Sequence, residues 1–214
     1  MRPVISLLIA VSASIGSVCA FAQKPATLTF ETHAAFFSTE TDQAAPLDPQ
    51  VFVQAVGTPT GRGPQGIDHV GDIRNARVGD SGALPIYNAH GKPLVMNLGE
   101  WLGARGTVTL EPRNDGSERI DVSLAGLQPG AEYSLFENHF DTHPIGFTPL
   151  DGTGQSNSFA ADSYGVARVT VTAPKALTHD NAVLVVFHSD NQSHGEMRGD
   201  VGINAHHQLI ARIP

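Results

Sequence analysis

The residues with the most chemistry per unit length lie between Val183 and His207, in VLVVFHSDNQSHGEMRGDVGINAHH. An apolar run ends at His188. A polar loop then carries Asp190, His194, Glu196 and Asp200, and closes on His206 and His207, where the last apolar run begins. Neutral imidazole is the commonest nitrogen ligand for zinc and copper, and carboxylates complete such sets. The pattern nominates His188, His194 and His206 as ligands of one copper or zinc ion, with Asp190 as a fourth ligand or as a partner behind one of them. His139 and His143, in Glu137-Asn138-His139-Phe140-Asp141-Thr142-His143, and His207 are reserves. Two other readings use the same residues. Histidines beside so polar a loop can cap strands and satisfy backbone groups, as Ser189, Asp190, Asn191, Ser193 and Asn204 also do well. Alternatively, His188 and Asp190 would be the base and orienter of a hydrolase, for which no nucleophile is identifiable.

Such residues need a packed scaffold, and the chain can build one. It has 214 residues, 41% hydrophobic and 16% charged, enough for one domain with a sizeable core. Thr27-Leu28-Thr29-Phe30 alternates as a first strand, Ala34 to Phe37 suggests a short helix, and Val51 to Val56 reads as a second strand. Gly57 to Gly66, GTPTGRGPQG, reads as a loop in which nothing packs. Trp101, the only tryptophan, is expected to anchor the core at the sandwich edge. From Gly106 onward the alternation is regular. Val108 and Leu110 lead to a hairpin turn at Asn114-Asp115-Gly116-Ser117, and Ile120, Val122 and Leu124 share one face beyond it. Gln128-Pro129-Gly130 makes another turn. Val166 to Ala173, Ala182 to Phe187 and Gln208 to Ile213 supply further strands. Short β-rich segments between Gly/Pro turns predict an antiparallel sandwich or barrel.

Residues 1–22 read as a secretory signal: Arg2, then an apolar stretch from Val4 to Val18, then Ala20-Phe21-Ala22 as a cleavage site. Cys19, the only cysteine, would leave with it, so disulfides and thiolate ligands are excluded from the mature chain. The formal charge of −8 becomes −9 once Arg2 is removed, which argues against nucleic acid or anionic lipid as a partner. No apolar run of membrane length follows the signal.

Leu127-Gln128-Pro129-Gly130-Ala131-Glu132-Tyr133 resembles the Leu-x-Pro-Gly-x-x-Tyr corner of fibronectin type III and related immunoglobulin-like sandwiches. The resemblance implies that the Tyr133 hydroxyl ties its strand to the preceding turn. With Gly106-Thr107-Val108 upstream and Leu184 to Asp190 downstream, the segment also resembles the copper/zinc superoxide dismutase sandwich. That family places a His-x-His copper pair after the turn, where this chain has Leu135 and Glu137, and its disulfide has no counterpart here.

Three weaker motifs have plain readings. Gly79-Asp80-Ser81-Gly82 matches a protease nucleophile motif but is read as a tight turn, because too little chain precedes it to build that fold. Arg198-Gly199-Asp200 is read as loop chemistry, and Gly152 to Phe159 as a connector or a small-ligand contact.

The expected architecture is an all-β, antiparallel immunoglobulin-like or superoxide-dismutase-like sandwich over residues 104–214, with irregular strands and Gly/Pro-rich loops of residues 23–103 packed on it. The expected role is a periplasmic or extracellular binding or envelope module without enzymatic activity, its protein or small-ligand partner undefined. A histidine-based copper or zinc protein, for metal handling or dismutase-like chemistry, is the alternative, and a His/Asp hydrolase the next.

Overall fold

In the computed structural model, which describes residues 24–214, alternation becomes two facing sheets. The expected signal segment, residues 1–22, lies outside the described residues. The chain opens with β1 (Ala26–Thr29) and β2 (Glu31–Thr32) and enters α1 (His33–Glu40), whose N-cap Thr32 accepts from the Ala35 N–H. There follow β3 (Leu47–Gln54), β4 (Gly61–Arg62), β5 (Asp68–His69), β6 (Ile73–Arg77), β7 (Pro85–Tyr87) and β8 (Pro93–Asn97). The short α2 (Leu98–Gly103) starts at a reciprocal capping box between Asn97 and Glu100. The remaining strands are β9 (Arg105–Pro112), β10 (Glu118–Ala125), β11 (Glu132–His139), β12 (Gly146–Pro149), β13 (Ser158–Ala160), β14 (Ala167–Ala173), β15 (Asn181–His188) and β16 (Ala205–Arg212).

One sheet has the order β1-β9-β10-β14 and the other β12-β11-β15-β16-β2, with β13 also pairing β11; every ladder is antiparallel. The fold is an all-β sandwich. Its main core lies between the sheets, where Val108, Leu110, Ile120, Val122 and Val171 meet Tyr133, Leu135, Val183, Val185, Phe187 and Leu209. The opposite residues of β10, Arg119, Asp121 and Ser123, reach solvent, which is the alternation expected of a half-covered sheet. β15 differs, because all of its residues are buried. Its outer face, with Leu184 and Val186, is covered by Phe36 of α1 and by Phe140 and Phe147. That second layer is what places His188 and His207 under cover.

The N-terminal half contributes its own sheet, β6-β3-β7-β8, whose Val51, Val53 and Ile86 join the main core. A buried strut fixes this sheet. Trp101 Nε1 donates to the Asp48 carboxylate at 2.8 Å, and the same carboxylate accepts from the Gln50 and Val51 N–H groups. Trp101 is thus the core anchor its sequence position suggests, 1% exposed. The segment GTPTGRGPQG is less free than its composition predicts. Gly61–Arg62 pairs with Asp68–His69, and Arg62 grips Asp68 through two hydrogen bonds. Gly79 to Gly82 is a turn, with the Asp80 carboxylate held by Arg74 and by the Arg77 N–H.

The Tyr133 hydroxyl accepts from the Gln128 N–H at 2.9 Å, tying β11 to the Pro-Gly turn. Burial pushes the phenol well above its ordinary pKa, so it stays protonated. Tyr133→Phe removes the acceptor and strands a turn N–H. The expected cost is about 1–3 kcal/mol in urea unfolding, with the fold retained; an unchanged midpoint would show that the turn holds without this bond.

Candidate metal centre

β15 delivers His188 to the rim of the second layer. Its partners across the sheet are Glu132 and Ala205, and its side chain shares a face with Val186 and Ser134. The chain then turns sharply: the Asn191 N–H donates to the His188 carbonyl, and Asn191 adopts a left-handed φ of 58°. Asparagine tolerates that conformation better than most residues. Its side-chain oxygen accepts from the Glu132 N–H at 2.9 Å, pinning the turn to β11. The turn aims Asp190 and His194 back at His188.

One ligand atom from each of His188, Asp190 and His194 lies within 4.8 Å of the other two. His194 Nε2 stands 3.1 Å from Asp190 Oδ2, and the two imidazole centroids are 5.1 Å apart. Two atoms bound to one ion at about 2.1 Å are at most about 4.2 Å apart. The cluster therefore needs only a small contraction to close on an ion. Asn204 Nδ2 donates to Asp190 at 3.0 Å, and Asn204 Oδ1 accepts from the Asp200 N–H, so the carboxylate is oriented from the far end of the loop.

His188 has the chemistry a metal ligand needs. It is 1% exposed, and burial, reinforced by His194 and opposed by Asp190, pushes its pKa down to about 4. The ring is neutral at neutral pH, the form that binds metals. Its Nε2 lies 2.8 Å from Ser134 Oγ, which continues through Ser158 Oγ to the Ser193 hydroxyl by two further 2.8 Å contacts. Its Nδ1 is buried without a partner. With Nε2–H donating to Ser134, the Nδ1 lone pair is free, which is the tautomer lock that metal-binding histidines use.

The loop is braced from outside. Asp151 accepts from the N–H groups of Thr153, Gly154, Gln155 and Ser156. Burial acts to raise this carboxyl, but the hydrogen bonds from Ser156, Thr153 and Gly154 outweigh it and hold it well below the carboxylate range. Gly154 has φ +74°, and a Cβ there would lie 2.4 Å from the Glu196 nitrogen, so glycine lets this turn press on the backbone beside His194. The segment Gly152 to Phe159 is thus an ordered buttress.

The other nominated histidines are elsewhere. His206 pairs with Phe187, so its ring enters the main core, on the face opposite His188. It sits edge-on to Trp101, and its Nδ1 donates to the Gln50 carbonyl at 3.2 Å. Burial pushes its pKa to about 4 and keeps it neutral. His206 is a core histidine, outside the ligand cluster. His207 shares the face of His188, but Gln50 Nε2 and Arg198 occupy its two nitrogens. His139 lies at the other end of β15, opposite Asn181, roughly 23 Å along the strand from His188. It binds Thr148 there, and His143 is exposed in the turn beyond it.

The His188–Asp190 pair expected of a hydrolase shares no hydrogen bond among the described residues. Ser134 has the hydroxyl nearest His188, but it is 1% exposed and spanned by Ser158. Asp190 contacts His194 and Asn204, leaving His188 Nδ1 without an orienting carboxylate. At the two positions after the Pro-Gly turn, Leu135 is core and Glu137 is buried. No protein-family model matches the chain, and no curated protein matches it.

Proposed function

We propose that this is an exported, non-enzymatic binding module whose ligand is one divalent transition-metal ion, zinc or copper, held by His188, Asp190 and His194. The observation that carries the reading is the buried, unpartnered Nδ1 of His188 beside the His194–Asp190 pair. Two imidazoles and one carboxylate suit zinc and copper(II) better than magnesium or calcium, which take all-oxygen shells. Three protein ligands leave a coordination position open for water or for a group handed over by a partner, which favours metal handling. No described helix is long and apolar enough to cross a membrane, and residues 1–22 have the composition of an export signal.

Titration of the mature, tag-free chain with Zn(II) and Cu(II) tests the reading. One equivalent should bind tightly to the folded protein and be absent from the urea-unfolded chain. Equal binding to folded and unfolded chains would eliminate the site. Ser134→Ala removes the acceptor that fixes the His188 tautomer and should weaken binding by about 10–100-fold without changing stoichiometry. Undiminished affinity would show that the serine chain plays no part in orienting the ligand.

A further inference from the structure

Arg198 is the second feature of the metal loop that no structural role accounts for. It is half-buried, and burial pushes its pKa down to about 10. The ion-paired arginines Arg62, Arg74, Arg119 and Arg212 each face a carboxylate, but no carboxylate lies within ion-pair distance of Arg198 among the described residues. A desolvated guanidinium without a counter-charge is costly. In a chain with 21 acidic and 13 basic side chains, acidic partners are not scarce. The central carbon of the Arg198 guanidinium sits over Phe147, 3.3 Å from the ring centroid. Its one polar contact among the described residues is NH1 to His207 Nε2 at 2.9 Å.

That contact conflicts with its neighbour. Gln50 Nε2 lies 3.0 Å from His207 Nδ1, while Gln50 Oε1 accepts from the His207 backbone N–H at 2.7 Å. Two donors therefore face the two ring nitrogens, and a neutral imidazole has one lone pair. Turning the Gln50 amide over relieves the ring but sets its NH2 against the His207 N–H. Every arrangement leaves one donor facing another. Next to them His33 stands edge-on to His207, with centroids 4.9 Å apart and its own Nδ1 buried without a partner. His33 is 5% exposed. Gln50 Nε2 also donates to Gln65 Oε1 at 2.8 Å, which leaves the conflict at His207 in place, and the Arg198 charge has no carboxylate partner among the described residues.

We propose that this group is a binding site for a small oxyanion, a carboxylate or a phosphate, which takes the place of the direct Arg198–His207 contact and is held by the Arg198 guanidinium and the His207 Nε2–H. One anion resolves every conflict. It accepts from Arg198 in the fork geometry that guanidinium offers to two oxygens. It also accepts from His207 Nε2–H, so Nδ1 remains the acceptor for Gln50. It also neutralises the half-buried Arg198 charge. The site is separate from the metal ligands and does not require the ion.

The test uses the mature chain in a metal chelator at constant ionic strength. Inorganic phosphate and acetate are titrated separately, followed by calorimetry and by the 15N shifts of the His207 ring. At least one of them should saturate at one equivalent and move the His207 resonances. Saturation by phosphate alone assigns a phosphate ligand, and saturation by acetate alone a carboxylate. Arg198→Gln should weaken binding at least about 10-fold, Arg198→Lys should weaken it less, and the exposed control Arg168→Gln should leave it unchanged. Because the titration is run in a chelator, a failed metal site does not touch this result. Absence of saturation with both anions in the wild-type chain, or equal weakening by Arg168→Gln, would overturn the proposal.

Discussion

His194→Ala and Asp190→Ala should abolish stoichiometric zinc and copper binding, whereas His206→Ala should leave it in place. This is the expected result if the ion sits where the three ligand atoms converge. Each loss should exceed the 10–100-fold expected for a supporting residue, because two remaining ligands cannot hold an ion in a site that is open on one side. His194 and Asp190 are only half-buried, so their truncation tests the ligand role with little damage to packing. His188→Ala should lose the metal too, but it also opens space beside Ser134 and is the less clean probe. The readout extends beyond affinity. At an ion concentration about 100 times Kd, binding stabilises the folded state by about 2.7 kcal/mol. For a chain of this size that raises Tm by roughly 5–10 °C. The zinc-induced rise should vanish in His194→Ala and Asp190→Ala, while the chelator-treated Tm stays near wild type. Retention of one-to-one binding within a few-fold of wild type in either variant would remove the cluster as the site.

The sequence makes the sandwich legible because alternation is a local signal. Ile120, Val122 and Leu124 point one way whatever lies across the sheet, and Asn114 to Ser117 form a turn from their own chemistry. The loop of the candidate metal cluster is legible for the same reason, since Asp190 and His194 come from one turn. Which of His206 and His207 shares the face of His188 is a different kind of fact. Successive strand residues point to opposite faces, and only the cross-strand register decides between them. Here His188 pairs with Ala205, and a bulge near Gln208 resets the ladder, so His207 shares the outer face and His206 enters the core. Composition gives no hint of that bulge. Gln50 is hidden equally well. It lies 157 residues from His207, is fully buried, and contacts it through both amide atoms. Arg198-Gly199-Asp200 reads as loop chemistry, yet Phe147, supplied by β12, draws the arginine inward. Long-range contacts of this kind determine which histidines can bind a ligand.

Stability should collapse between pH 6.5 and 4, even in a metal chelator. Burial holds His33 at a pKa of about 3, with the Arg198 charge adding to the effect, and His206 at about 4. His188 is at about 4, and His207 is well below its ordinary value of 6.5. In the unfolded chain all four titrate near 6.5. Between 6.5 and 4 the unfolded state binds protons that the folded state refuses, so unfolding free energy rises with pH across that window. The contribution is complete above 6.5 and is lost as pH falls through the folded values. A fall from 6.5 to about 4 or 3 is worth roughly 3–5 kcal/mol per residue. Asp48 acts in the opposite direction. Burial raises it to about 6 despite its bonds to Gln50, Trp101 and Val51, so it favours the folded state at low pH and loses that contribution as pH rises through 6. Asp48 offsets about one histidine, roughly 3 kcal/mol, and burial raises Glu31, Glu118, Glu132 and Glu137 in the same sense. The histidine shifts are the larger ones, so the net effect of acid is a loss of stability. Urea midpoints measured at pH 7.5 and 4.5 should differ by more than half, and a flat profile would mean that the rings are charged or solvated in the folded state. His206→Phe isolates one term. It keeps an aromatic ring against Trp101 but strands the Gln50 carbonyl, so it should cost about 1–3 kcal/mol at pH 7.5. At pH 4.5 it should recover roughly 3 kcal/mol relative to wild type, because the unfolded chain has one histidine fewer to protonate. A shallower acid slope with an intact fold is the signature of a neutral core histidine, and an unchanged slope would show that His206 takes up its proton without unfolding.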